Sequence, residues 1–135
     1  HAAKLKGHSD ADAALHVLTD AILGALAEGD IGTHFPPSND KWKNAASEVF
    51  LSFAAGLVKA HGGRIVHLDL TIVCEKPKIG PKARELKQNI AKICEISPSR
   101  VSVKATTSEK LGFIGRGEGL MTLASATIEV PRGED

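Results

Sequence analysis

Tyrosine is absent from this chain, which holds one Trp and four Phe in 135 residues. So few aromatics leave little for bases to stack on in the manner of single-strand binders. They also imply a core of Leu, Ile, Val and Ala. An excess of one charge sign is missing too: 17 Lys and Arg face 16 Asp and Glu, a formal net charge of +1. Such a balance gives no field that would draw nucleic acid or a membrane surface. No apolar run reaches the roughly 20 residues that span a bilayer, and no signal peptide is visible. Cysteine occurs only as Cys74 and Cys94, with no CxxC. Neither a zinc knuckle nor a disulfide framework is expected; two buried thiols in a reducing compartment are. The Gly-Lys-hydroxyl order of a Walker A loop does not occur. The length fits one domain with a single modest core.

The pattern that is present reads as helix, helix, strand, helix, strand, loop, strand. Ser9 is a good N-cap with Asp12 at N3, a variant of the capping box. The first helix is predicted from Asp10 to Glu28, with Gly29 as its stop and Leu15, Leu18, Ile22 and Leu26 as its core stripe. Residues 29–40 are rich in turn formers and read as a loop. A second helix runs from Asn44 to Ala60 and ends at His61-Gly62-Gly63. Arg64 to Glu75 alternates as a strand, with Val66, Leu68, Leu70, Ile72 and Cys74 on one face and His67, Asp69 and Thr71 on the other. Lys76 to Pro81 is a basic loop with two prolines, and Pro81 can open a third helix at N1. That helix has the stripe Ala83, Leu86, Ile90 and Ile93. Strands follow at Arg100–Thr106 and Leu120–Val130, then a polar tail from Arg132 to Asp135. The expected class is α/β (α+β): a small mixed sheet with helices on one face. Its other face carries polar and small residues; it is either simply wet or covered by a second layer, for which subunit association is a natural candidate.

Three stretches carry chemistry. Asp12, His16 and Asp20 stand four apart, so one helix face presents carboxylate, imidazole and carboxylate in a row. A carboxylate beside a His can fix its tautomer for a metal, or simply pair with it along the helix. His8-Ser9-Asp10 precedes the first helix, where amide groups, His and Ser can receive an anion; an N-cap with a neighbouring surface His accounts for it equally. Third, Thr106, Thr107 and Ser108 followed by Glu109 at a strand's end can bind phosphate oxygens and hold a hard cation. Gly115, Gly117 and Gly119 then allow close backbone approach, with Arg116 and Glu118 between them. A long polar hairpin loop is the plain alternative.

Together, Gly7 to Asp20, Gly29-Asp30-Ile31-Gly32 with Phe35-Pro36, Pro77-Lys78, and Lys104 to Gly119 resemble the 2-C-methyl-D-erythritol 2,4-cyclodiphosphate synthases of non-mevalonate isoprenoid synthesis. The wording from Gly32 to Ser38 is similar to the cyclase half of bifunctional cytidylyltransferase–cyclase proteins. The resemblance covers nearly the whole chain. It implies a homotrimer that packs its sheets around a central axis, with active sites between subunits. The implied lyase reaction releases CMP from a CDP-linked methylerythritol 2-phosphate. Two further readings stay open: a silent trimer that binds nucleotide or isoprenoid diphosphate, and a CDP-alcohol hydrolase.

By motif match, the resemblance makes His16 a Zn²⁺ ligand and Glu109 the holder of a second divalent cation, Mg²⁺ or Mn²⁺. His8 and Ser9 would meet the methylerythritol phosphate end, and Asp30 and Gly32 the sugar alcohol. Lys78, Ala105, Thr106 and Thr107, with the loop from Cys74 to Gly80, would form the cytidine and phosphate pocket of the adjoining subunit; Thr107 and Glu109 would act in the reaction. Phe113 and Arg116 would line an axial cavity able to hold an isoprenoid diphosphate. The family's second zinc motif, Asp-x-His, does not occur before His8. It is expected upstream of His1 with an N-terminal strand and hairpin. The implied setting is bacterial cytoplasm or a plastid.

Overall fold

Alternation in the middle of the chain builds a central strand, and the flanking strands pair with it through β-branched and small residues. The computed structural model describes the backbone of residues 2–36, 38, 46–75, 80–107, 109–115 and 119–133, and within these the side chains of all but residues 2–10, 80, 113 and 115. The elements are α1 (Ala2–Ala25), α2 (Ile31–His34), α3 (Ser47–Ala60), β1 (Arg64–Val73), α4 (Gly80–Cys94), a 3₁₀ turn at Pro98–Arg100, β2 (Val101–Thr106), α5 (Gly112–Gly115) and β3 (Met121–Glu129). The sheet order is β2-β1-β3, with β2 parallel and β3 antiparallel to β1. It is therefore a small mixed sheet, as expected.

One sheet face is buried. Leu68, Leu70 and Ile72 of β1 and Val101 of β2 meet Leu18, Ile22, Leu51, Val58 and Ile90 from α1, α3 and α4. Each Leu or Ile fully buried here contributes about 1.5–3 kcal/mol. α1 packs on β3 and α3, and α4 packs on β2 and α3, so the helices share one side of the sheet. On the opposite side Met121 and Leu123 stay exposed, beside the pair in which Lys104 Nζ donates to Asp69 at 2.6 and 2.8 Å. That hydrogen bond holds Asp69 below the usual carboxylate range.

Four readings are corrected. α1 starts at Ala2, so Ser9 lies inside it and is not its N-cap; Ala2, Ala3, Lys4, Leu5 and Lys6 are all good helix formers, and one Gly in a helix is a tolerable loss. α1 stops at Ala25, not Glu28. Ala27 takes the left-handed position at φ 57°, with Glu28 N–H on Leu23 O and Ala27 N–H on Gly24 O. This is a Schellman ending, reached before Gly29. The stretch after Gly29 contains a helical turn, α2, inside the expected loop. In β1 a register shift between Ile65 and His67 buries Ile65 and leaves Val66 half-buried, breaking the strict alternation.

Of the expected stripes, Leu15, Leu18 and Ile22 are buried and Leu26 half-buried; in α4 only Ile90 is fully shielded, joined by Ala91 and Cys94. Cys94 is buried and Cys74 half-buried. No helix among the described residues is long and apolar enough to cross a membrane.

Candidate active site

The row on α1 is exposed at all three positions, and its members serve different neighbours. Ser47 Oγ, at the start of α3, donates to Asp12 Oδ1 at 3.0 Å. Ile31 N–H, first in α2, donates to Asp20 Oδ1 at 2.9 Å. The two carboxylates thus tie α3 and α2 to α1 instead of orienting the imidazole between them. His16 instead meets the edge of Phe50, ring centroids 5.6 Å apart.

That contact starts a chain of rings. Phe50 lies 4.6 Å from Phe35, Phe35 4.9 Å from Phe53, and Phe53 5.1 Å from His34. Three of the chain's four Phe are therefore gathered between α1, α2 and α3. The scarcity of aromatics hid this cluster. Its signal was the i, i+3 spacing of Phe50 and Phe53 on α3.

Asp30 and Gly32 sit on the turn between α1 and α3. Asp30 is the N-cap of α2, and its Oδ1 accepts from Thr33 N–H and Thr33 Oγ1–H, both at 2.9 Å. The Thr33 hydroxyl bond, then the Thr33 amide bond, lower the Asp30 pKa below the ordinary carboxylate value. Gly29 precedes at φ 84°, and a Cβ there would come within 2.7 Å of Thr33 Oγ1. The turn accordingly requires glycine at this point.

A second group lies at the carboxyl ends of the parallel pair β1 and β2, the place where open sheets commonly take ligands. Val73 pairs with Thr106, and Cys74 N–H donates to Thr106 O at 2.9 Å. Ala105 and Thr107 are half-buried, and Thr106 is exposed. Glu109 N–H donates to Thr107 Oγ1 at 3.1 Å, and Glu109 and Lys110 are both left-handed, at φ 56° and 65°. Glu109 is exposed. Glu75, beside this edge, has a shielded Oε2 with no hydrogen-bond partner among the described residues; it was not singled out in the sequence. Burial pushes the Cys94 thiol up to about 12, so it is no nucleophile.

Thus Ala105, Thr106, Thr107 and Glu109 come together, and His16, Asp30 and Gly32 flank one ring cluster. Among the described residues no hydrogen bond or ion pair joins the two groups. Lys78 and Arg116 lie outside the described residues, as do the side chains of His8, Ser9 and Phe113. Among the described residues no three His, Cys, Asp or Glu side chains converge as a metal site. His16 is one imidazole, and a catalytic zinc ordinarily takes three protein ligands. The described residues therefore do not fit a complete zinc centre.

Comparison with known proteins places this geometry. The YgbB family model matches residues 1–129. The bifunctional enzyme IspD/IspF of Rhodobacter capsulatus is 59% identical over 128 residues, covering 95% of this chain and 34% of that protein. The chain thus spans about a third of the length of such relatives. Among solved structures, the bifunctional IspDF of Campylobacter jejuni aligns with a TM-score of 0.80 at 40% identity, over 86% of this chain and 31% of that one. A CDP complex of IspF from Plasmodium falciparum aligns with a TM-score of 0.74 at 34% identity, over 88% of this chain and 70% of that one. The family match and these folds, together with the motifs now located on α1, the Asp30 turn and the end of β2, show that the chain belongs to the YgbB family.

Proposed function

We propose that this domain cyclises a CDP-linked methylerythritol 2-phosphate to the 2,4-cyclodiphosphate with release of CMP. An oxygen of the 2-phosphate forms a bond to the β-phosphorus. The bond from that phosphorus to the α–β bridging oxygen breaks, and the electron pair leaves with CMP. No protein nucleophile is needed, because phosphoryl transfer depends mainly on positioning and on neutralising charge. The observation that carries the reading is the likeness to the P. falciparum IspF determined as a CDP complex, over 88% of this chain.

In this reading Ala105, Thr106 and Thr107 receive the phosphates, joined by Lys78 and the loop after β1 in a cytidine pocket. Thr107 holds a phosphate oxygen while Glu109 faces a divalent cation, Mg²⁺ or Mn²⁺. Asp30 and the Gly32 backbone take the sugar alcohol, with His8 and Ser9 at its phosphate end. His16 contributes one ligand to a Zn²⁺ site whose other ligands come from an Asp-x-His upstream of His1. Phe113 and Arg116 line a cavity on the axis of a homotrimer, where an isoprenoid diphosphate can sit. The exposed sheet face with Met121 and Leu123 supports association of subunits through that face.

The test is incubation of the full-length protein with the CDP-linked substrate, followed by phosphorus NMR. CMP with a cyclic diphosphate is the expected outcome. CMP with a linear phosphate would identify a hydrolase. Absence of turnover would leave a binding protein.

A further inference from the structure

The turn that carries Asp30, from Glu28 to His34, is fastened at several points. Its first residue, Glu28, is fixed twice: its N–H closes the end of α1 on Leu23 O at 2.9 Å, and its Oε2 accepts from His61 Nε2, at the end of α3, at 2.8 Å. Asp20 of α1 holds Ile31 N–H. Across the mouth of the turn His34 Nε2 lies 2.6 Å from Glu28 O. A carbonyl only accepts, so His34 carries its proton on Nε2. The back of the His34 ring rests on Phe53 at 5.1 Å. One imidazole therefore bridges the two ends of the segment that encloses Asp30 and Gly32, and ties it to the residue that closes the end of α1.

The consequence is orientational. Asp30 is exposed, and its Oδ1 is already shared with Thr33. The direction of its carboxylate follows the backbone from residue 28 to 34, because Thr33, its partner, belongs to the same turn. Without the bridge, the turn keeps its capping box and the Asp20 bond to Ile31 N–H, but loses the tie that fixes the angle between its two ends. We propose that His34 is a positioning residue, which sets the angle at which Asp30 meets the substrate by holding the Glu28 carbonyl. This rests on the reading that Asp30 takes the sugar alcohol. The bound alcohol gains the same contact in ground and transition states, so loss of the bridge raises KM and spares kcat.

Steady-state kinetics on His34→Leu, His34→Gln, Asp30→Ala and the double variant Asp30→Ala/His34→Leu, all made in the full-length protein, test this. Leu keeps the contact with Phe53 and removes the donor; the Gln amide reaches where Nε2 stood. His34→Leu is expected to raise KM by roughly three- to tenfold with kcat unchanged. His34→Gln is expected to stay within about twofold of the parent. In the Asp30→Ala background, His34→Leu is expected to change KM by less than about twofold, since it acts through Asp30. A wild-type KM in His34→Leu, or an equal rise with and without Asp30, overturns the assignment. Turnover by the parent with either of those results leaves the cyclase reading standing. A parent that turns over no substrate removes that reading and this inference with it.

Discussion

Single side chains in this domain hold segments together as often as they await a ligand. Asp20 is the clearest case, since its Oδ1 satisfies the first free amide of α2. Asp20→Ala is expected to destabilise the domain by about 1 kcal/mol, read as a lower urea midpoint with an unchanged slope. Asp30 and Asp69 both have lowered pKa values, from Thr33 and from Lys104 respectively. A carboxyl depressed in the fold stabilises above its unfolded value of about 3.9 and loses that contribution as pH falls through the folded value. Stability measured by urea titration is therefore expected to drop below about pH 4, and Asp69→Asn should flatten the drop. An unchanged pH slope in that variant would separate Asp69 from the effect. The identities of Asp12, His16 and Asp20 were legible as one exposed helix row. Their partners were not, because Ser47 and Ile31 lie far along the chain, and spacing within a helix carries no information about them.

At the scale of elements, three helices end in one way with different residues. α3 places Gly62 at the left-handed position, φ 74°, while α1 uses Ala27 at 57° and α4 uses Glu95 at 56°. In all three, the next residue's N–H reaches back five residues, to Leu23, Val58 or Ala91. A non-glycine residue in this conformation costs on the order of 1 kcal/mol. Ala27→Gly is thus expected to raise stability by up to about 1 kcal/mol, seen as a higher thermal midpoint. Gly63→Ala should do the reverse, because a Cβ there would stand 2.4 Å from Glu129 O. Among the described residues, every strand and the three long helices could be located from periodicity, since the buried face repeats at 2 or 3.6 residues. What escaped were features without a period. The bulge at Ile65 is a one-residue shift, and α2 is a single turn whose only cue is Asp30 three residues before Thr33. The ending at Ala27 was hidden because glycine, the usual occupant, stands two residues later.

At the scale of the molecule, helices cover one side of the sheet and leave the other with Met121 and Leu123 exposed. The proposed trimer buries that side, so Leu123→Glu is expected to shift the protein to monomers in sedimentation equilibrium while helix content by circular dichroism stays the same. A variant that remains trimeric would place the contact elsewhere. Family-level likeness reached further than geometry here, because the proposed trimer would draw each site from more than one subunit. Within one chain His16 on α1 meets Phe50, while Glu109 N–H bonds Thr107 at the end of β2.

The central claim is that the 2-phosphate, not water, attacks the β-phosphorus. Turnover of the CDP-linked substrate in ¹⁸O-labelled water, with mass spectrometry of both products, tests it most directly. The account predicts CMP and a cyclic diphosphate that both carry no solvent oxygen. One ¹⁸O atom in either product would mean that water had cleaved the diphosphate, and would contradict it.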